Sequence, residues 1–249
     1  MNEVKVELDG PVAVISLCAP DRRNALTPEM AAGLVEAGDE VDANRTVGAV
    51  VVRGEGGYFC AGAHRDVLAG AEADPLSDPA YTDMGVVYRS FARVGELEPP
   101  VVAAVRGGAV GAGMNLALAA DLRIVAGDAR LNPGFLRIGI HPGGGYFVLS
   151  GRAAGREVTA AMSLFGEEVD GQRAVELGLA WQALPDAEVE ARALELARRA
   201  GADPELARRA TRSLRSELGP PAVPWPVALD AERAAQTWSL RRRANRPGS

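Results

Sequence analysis

The sequence predicts an α/β protein whose strands run mostly parallel. Apolar runs of strand length alternate with stretches of helical periodicity, and several of those runs lead into glycine-rich turns. After Gly151 the pattern changes to helices with a single further strand. Strands alternating with helices are the pattern of a parallel sheet covered by its own crossovers. With 249 residues, 47% of them hydrophobic, the chain can bury a sizeable core.

Val12 to Leu17 reads as the first strand, stopped by Pro20. Thr27-Pro28-Glu29 supplies an N-cap, a first-turn proline and a first-turn acid. Met30, Leu34, Ala37 and Val41 follow at helical spacing, so a helix runs to about Asp42. Val47 to Arg53 is a strand that breaks at Gly54. Asp66 to Ala80 is polar, rich in alanine and interrupted by Pro75 and Pro79, which suggests a mobile loop of lid length. Met84, Val87, Phe91 and Val94 mark the next helix, ended before Pro99-Pro100. A strand at Val101 to Val105, a helix from about Gly113 to Ala120 and a strand at Leu122 to Val125 follow. Further on, a strand is expected near Trp181 to Leu184, and the arginine-rich tail is expected to fray.

The net charge of −6 argues against nucleic acid as the main partner, since phosphate binding needs a basic footprint. Lys5 is the only lysine, so basic groups are almost all arginine. Two cysteines, Cys18 and Cys60, make neither a disulfide framework nor a CxxC pair. Met1 to Gly10 lacks the apolar core of a secretion signal, and the longest apolar stretch, Ala109 to Ala120, is too short to span a bilayer. A cytoplasmic protein with no membrane partner is expected.

The glycine turns are where chemistry is expected. Phe59-Cys60-Ala61-Gly62-Ala63-His64 and Arg106-Gly107-Gly108-Ala109-Val110-Gly111-Ala112-Gly113 follow apolar runs, and Ile138-Gly139-Ile140-His141-Pro142-Gly143-Gly144-Gly145 holds the other histidine. Such turns let the main chain approach a ligand, and their free N–H groups can hold a developing negative charge. Gly111-Ala112-Gly113 partly matches a dinucleotide-binding turn, but Leu116 stands where the third glycine belongs. Neither a P-loop nor a GxSxG elbow is present. Cys60 and His64 alone do not make a zinc site. Cys60 could be a nucleophile beside His64, although a small buried residue at a strand end is the plainer reading. Each histidine could equally serve its own turn.

Taken together these pieces resemble the crotonase superfamily, the enoyl-CoA hydratase/isomerase family. The matching segments are Pro20-Asp21-Arg22-Arg23-Asn24-Ala25-Leu26, Phe59 to Ala63, Pro100 to Val105, Gly107 to Gly113, Ala120 to Arg123, Ile138 to Gly145 and Ala174 to Leu179, in family order over about residues 4 to 240. The resemblance implies a single crotonase-like domain, residues 1–249. A spiral of ββα units would fill about 1–195, a helical C-terminal region about 196–243, and a frayed tail 244–249. It implies a trimer or hexamer, with Val158–Phe165 and Leu229–Leu240 as contacts. It also implies an acyl-CoA thioester as ligand and no cofactor beyond the substrate's own CoA.

By the same resemblance, the N–H groups of Ala63 and Ala112 form an oxyanion hole, with Gly62, Gly111 and Gly113 allowing the close approach. Arg22, Arg23, Ala25, Ala61 and Asp66 belong to the substrate-binding segments. The two carboxylate positions of a hydratase map to Asn115 and Phe135, and a third acid position of related members maps to Gly143. None of these residues can move a proton from carbon. His64 or His141 could substitute as acid or base, because histidine titrates in the useful range. Three readings stay open: a thioester-enolate enzyme, a non-catalytic acyl-CoA carrier or sensor, and a nucleotide-dependent oxidoreductase.

Overall fold

The computed structural model describes residues 3–68 and 78–219. Its larger sheet has six strands in the order β1 (Val4–Asp9), β2 (Val12–Leu17), β3 (Ala49–Gly54), β4 (Val101–Val105), β6 (Leu122–Ala126) and β8 (Gln182–Leu184). The β1–β2 pair is antiparallel; the other neighbours run parallel, as the alternation predicts. All six residues of β2 are buried, because strands flank it on both sides and helices cover both faces. β1 was not expected from the sequence. Its Val-Lys-Val-Glu-Leu-Asp alternation is that of a half-exposed edge strand.

Helix α1 (Pro28–Ala43) begins as read, with the Met30 N–H donating to Thr27 Oγ1 at 3.1 Å. Met30, Leu34, Ala37 and Val41 are all buried. With α2 (Asp78–Gly95) and α3 (Ala112–Ala119) it covers the sheet face bearing Ile15, Val52, Ala103 and Val105. The opposite face presents Val14, Val51, Val102 and Ile124 to Val189, Ala193 and Ala197 of α6 (Val189–Ala200). Helix α6, which packs on this face, spans the approximate limit near residue 195 between the expected core and C-terminal region. Helix α4 (Tyr146–Leu164) starts earlier than expected and is broken at Gly155, where φ is +82°. The short α5 (Gly171–Glu176) precedes β8, and α7 (Pro204–Glu217) closes the described chain.

A second, two-stranded sheet pairs β5 (Gly108–Val110) with β7 (Arg130–Asn132) in parallel. Single bridges extend this layer, joining Leu26 to Ala63, Cys60 to Ala109 and Leu131 to Val169. The glycine turns thus return alongside one another at one end of the larger sheet's strands. Within the expected lid, residues 66–68 and the start of α2 are helical; 69–77 lie outside the described residues, as do Leu229–Leu240 and the 244–249 tail.

Candidate active site

Two turns meet through main-chain hydrogen bonds. The Leu26 N–H donates to the Gly62 carbonyl at 2.7 Å, and the His64 N–H donates to the Leu26 carbonyl at 2.8 Å. Ala63 lies between those bonded groups, so its own N–H faces away from the Leu26 segment. The Cys60 N–H donates to Gly108 at 3.2 Å, and the Val110 N–H to Cys60 at 3.0 Å. The Gly111 N–H donates to Asn132 at 3.1 Å, which leaves Ala112 to open α3. A first-turn N–H has no intrahelical acceptor. Among the described residues no protein group accepts from the Ala63 or Ala112 N–H.

Gly62 (φ +96°) and Gly111 (φ +52°) adopt backbone that side chains disfavour. A Cβ on Gly62 would lie 2.6 Å from the Val110 carbonyl oxygen and 3.5 Å from the Ala112 nitrogen. The absent side chain is what lets the two turns close on each other. Gly113 serves packing instead, since a Cβ there would strike the Cys60 carbonyl.

Both alanines face a cavity of about 450 Å³. Of the expected residues, Arg23, Ala61, Gly62, Ala63, Gly111, Ala112, Asn115, Phe135, His141 and Gly143 line it. Arg22, Ala25, His64 and Asp66 do not. Arg22 pairs with Glu3 at 2.5 Å and donates to the Ala25 carbonyl at 3.1 Å, which draws it away from its neighbour Arg23. Arg23 instead lies over the Tyr58 ring at 5.6 Å. His64 turns back on its own loop, its Nδ1 accepting from the Asp66 N–H at 3.3 Å. Cys60 is fully buried and its thiol is pushed up to about 12 by that burial, so it is an inert core residue.

Asn115 is buried, and its Nδ2 donates to the carbonyls of Gly143 and Gly144 at 2.9 and 3.1 Å. Carbonyls only accept, so this amide orientation is fixed and Oδ1 is left buried without a donor. The Phe135 ring packs against Tyr146, with centroids 5.7 Å apart. Nδ1 of His141 lies 2.7 Å from the Pro142 carbonyl, and its ring meets the Phe147 ring edge-on. Because the carbonyl can only accept, Nδ1 carries the proton and the lone pair of the neutral ring sits on Nε2.

Sequence reasoning missed several wall residues. Met84, Val87 and Tyr88 form one face of α2, a pattern that signals helix packing as readily as a cavity wall. Glu168 reaches the wall through the Leu131–Val169 bridge, which no local pattern announces. It accepts from Arg130 Nε at 2.8 Å and from Asn132 Nδ2 at 2.7 Å. The Arg130 hydrogen bond, then that from Asn132, holds its carboxyl below the usual carboxylate range. No cluster of potential metal ligands occurs among the described residues.

Known proteins share this architecture. The family model for enoyl-CoA hydratase/isomerase matches residues 7–239. A Mycobacterium tuberculosis protein named "Probable enoyl-CoA hydratase" is 42% identical over 185 residues, covering 74% of this chain and 71% of that one. The 1,2-epoxyphenylacetyl-CoA isomerase of Escherichia coli is 33% identical over 209 residues, covering 82% and 78% respectively. The crystal structure of an enoyl-CoA hydratase from Polaromonas sp. JS666 superposes with a TM-score of 0.86 at 26% identity, covering 95% of this chain and 91% of the other. With the paired turns and the cavity they line, these matches place the chain in the enoyl-CoA hydratase/isomerase family of the crotonase superfamily, with the crotonase fold.

Proposed function

We propose that this protein binds an acyl-CoA thioester and stabilises its enolate, with the thioester oxygen gripped by the N–H groups of Ala63 and Ala112. The observation that carries this reading is the pair of turn N–H groups, on one cavity wall, with no acceptor among the described residues. Preorganised donors act on charge as it develops and need no particular side chain. The positive end of α3 adds to the same field. His141 Nε2 takes the proton from the acyl α-carbon, the C–H electron pair becomes the enolate C=C bond as the carbonyl π pair moves onto the thioester oxygen, and the imidazolium returns the proton to the acyl chain. No cofactor is needed beyond the CoA that the substrate carries.

Ordinary enoyl-CoA hydration does not belong to this reading. It uses two carboxylates, and the matching positions here are an amide tied to a loop and a ring packed on Tyr146. Those same ties favour a second reading, a non-catalytic acyl-CoA carrier or sensor. We also assign the protein to the cytoplasm and to a trimer or hexamer. The α4 segment ending at Leu164 and exposed Phe165 is a candidate contact, and light scattering that finds a stable monomer would remove the assembly assignment. Calorimetry decides the ligand. Acetyl- and butyryl-CoA should bind more tightly than free CoA, and equal or absent affinity would refute the thioester grip. A hydrogen–deuterium exchange assay at the α-carbon of bound butyryl-CoA then separates enzyme from carrier.

A further inference from the structure

Gly143 and Tyr88 share one space. Gly143 sits in the loop that precedes α4, and a Cβ added to it would lie well inside van der Waals contact distance of the Tyr88 hydroxyl oxygen. The phenol therefore stands where the side chain of residue 143 would begin. Tyr88 reaches that point from α2, with its ring tilted against Phe91, centroids 5.8 Å apart. Its companions on the cavity face of α2, Met84 and Val87, are apolar, as is Ile140 from the loop.

The hydroxyl also has a definite relation to the two N–H donors. Asn115 lies one turn beyond Ala112 in α3, and its Nδ2 holds the Gly143 carbonyl at 2.9 Å. Tyr88 Oη is thus tied through Gly143 and Asn115 to the helix that Ala112 opens, and all four residues line the same cavity. No hydrogen bond joins Oη to another described residue. A phenol both donates and accepts, so it can serve a hydroxyl or a carbonyl oxygen of a ligand.

We propose that Tyr88 is a specificity-determining residue of the acyl pocket, its hydroxyl recognising an oxygen substituent on the acyl chain close to the thioester. Gly143 is the other half of the device, since any side chain there evicts the hydroxyl. The inference rests on the acyl-CoA reading above and adds to it the class of acyl group: oxygen-bearing rather than plain alkyl.

Calorimetric titration with 3-hydroxybutyryl-CoA and butyryl-CoA checks it on three proteins: the unaltered chain, Tyr88→Phe and Gly143→Ala. Gly143 is absent from the positive-φ positions, so alanine meets no backbone strain there. The unaltered protein should prefer the hydroxyacyl ligand by roughly three- to tenfold, the usual worth of one neutral hydrogen bond. Tyr88→Phe, which keeps the ring packing, should abolish the preference by weakening only the hydroxyacyl ligand. Gly143→Ala should do the same. No preference in the unaltered protein, or equal weakening of both ligands by Tyr88→Phe, would overturn the inference while leaving the acyl-CoA reading intact. Failure of both thioesters to bind the unaltered protein more tightly than free CoA would bring down the two together.

Discussion

The Asn115 carboxamide donates to the Gly143 carbonyl at 2.9 Å, so a side chain of α3 is bonded to the loop that precedes α4. That bond and its partner to Gly144 make Asn115 a pin for the loop rather than a spare amide. Replacing Asn115 by Asp sets a carboxylate against two carbonyl oxygens. The cost should be about 1–3 kcal/mol, the penalty of unmatched buried polar groups. Urea unfolding measures it directly, and unchanged stability would show that the loop is not held there.

Crotonyl-CoA hydration by the unaltered protein should be negligible. Each positioned acid or base contributes roughly two to four orders of magnitude, and in the proposed reading Asn115 and Phe135 hold the two positions where hydration needs carboxylates. The double change Asn115→Glu with Phe135→Glu gains hydration only if the Gly143–Gly144 loop can release its pin. Rapid loss of the enoyl absorbance with the unaltered protein would mean that residues 115 and 135 are not the hydratase positions.

Whatever proton transfer a substrate screen reveals should depend on His141 and not on His64. His141 lines the cavity with Nε2 left basic in the neutral ring, whereas His64 lies off the wall and holds the Asp66 N–H. His141→Ala should lower the rate by about two orders of magnitude or more while acyl-CoA still binds. A rate lost instead with His64→Ala would reassign the role.

Gly62→Ala should reduce thioester affinity more than affinity for free CoA. The new methyl lies 2.6 Å from the Val110 oxygen at a residue with φ of +96°, so the two turns must separate. Folding stability should fall by more than about 1 kcal/mol. Equal loss for both ligands would mean that the separation of the turns does not govern the thioester grip.

Glu168 gives the cavity wall an acid-side dependence. Its folded-state titration lies below the ordinary value of 4.5, through the Arg130 and Asn132 hydrogen bonds. The sign follows from that direction. Stabilisation is fully present above the unfolded value and is lost as pH falls through the lower folded value. Arg130 is 68% exposed, so salt should weaken the effect. Glu168→Gln should lower the thermal midpoint at neutral pH and converge with the unaltered protein in acid. Parallel curves across the whole range would exclude this role.

Much of the larger sheet was legible because its signals are local. Thr27-Pro28-Glu29 caps and starts α1 with no help from the rest of the fold, and Val101 to Val105 is apolar enough to read alone. β5 and β7 were not legible, because each lies inside or beside a glycine-rich turn and is a strand only through its pairing with the other. The same division runs through the site. Glycines at 62 and 111 announce turns that approach something closely. Nothing near residue 88 tells that its hydroxyl ends at residue 143, and nothing near Glu168 tells that it will hold Asn132.

Both proposed thioester donors are main-chain groups, held by hydrogen bonds from N–H to carbonyl across Leu26, Gly62, Cys60, Val110 and Asn132. An engineer could therefore treat the grip as fixed hardware. Tyr88, Asn115, Phe135 and His141 can be randomised as side chains while the backbone that seats the thioester carbonyl stays put. Such a library would sample reactions at nearly constant handle. A scaffold whose own anchor is built from side chains offers no such separation of holding from doing.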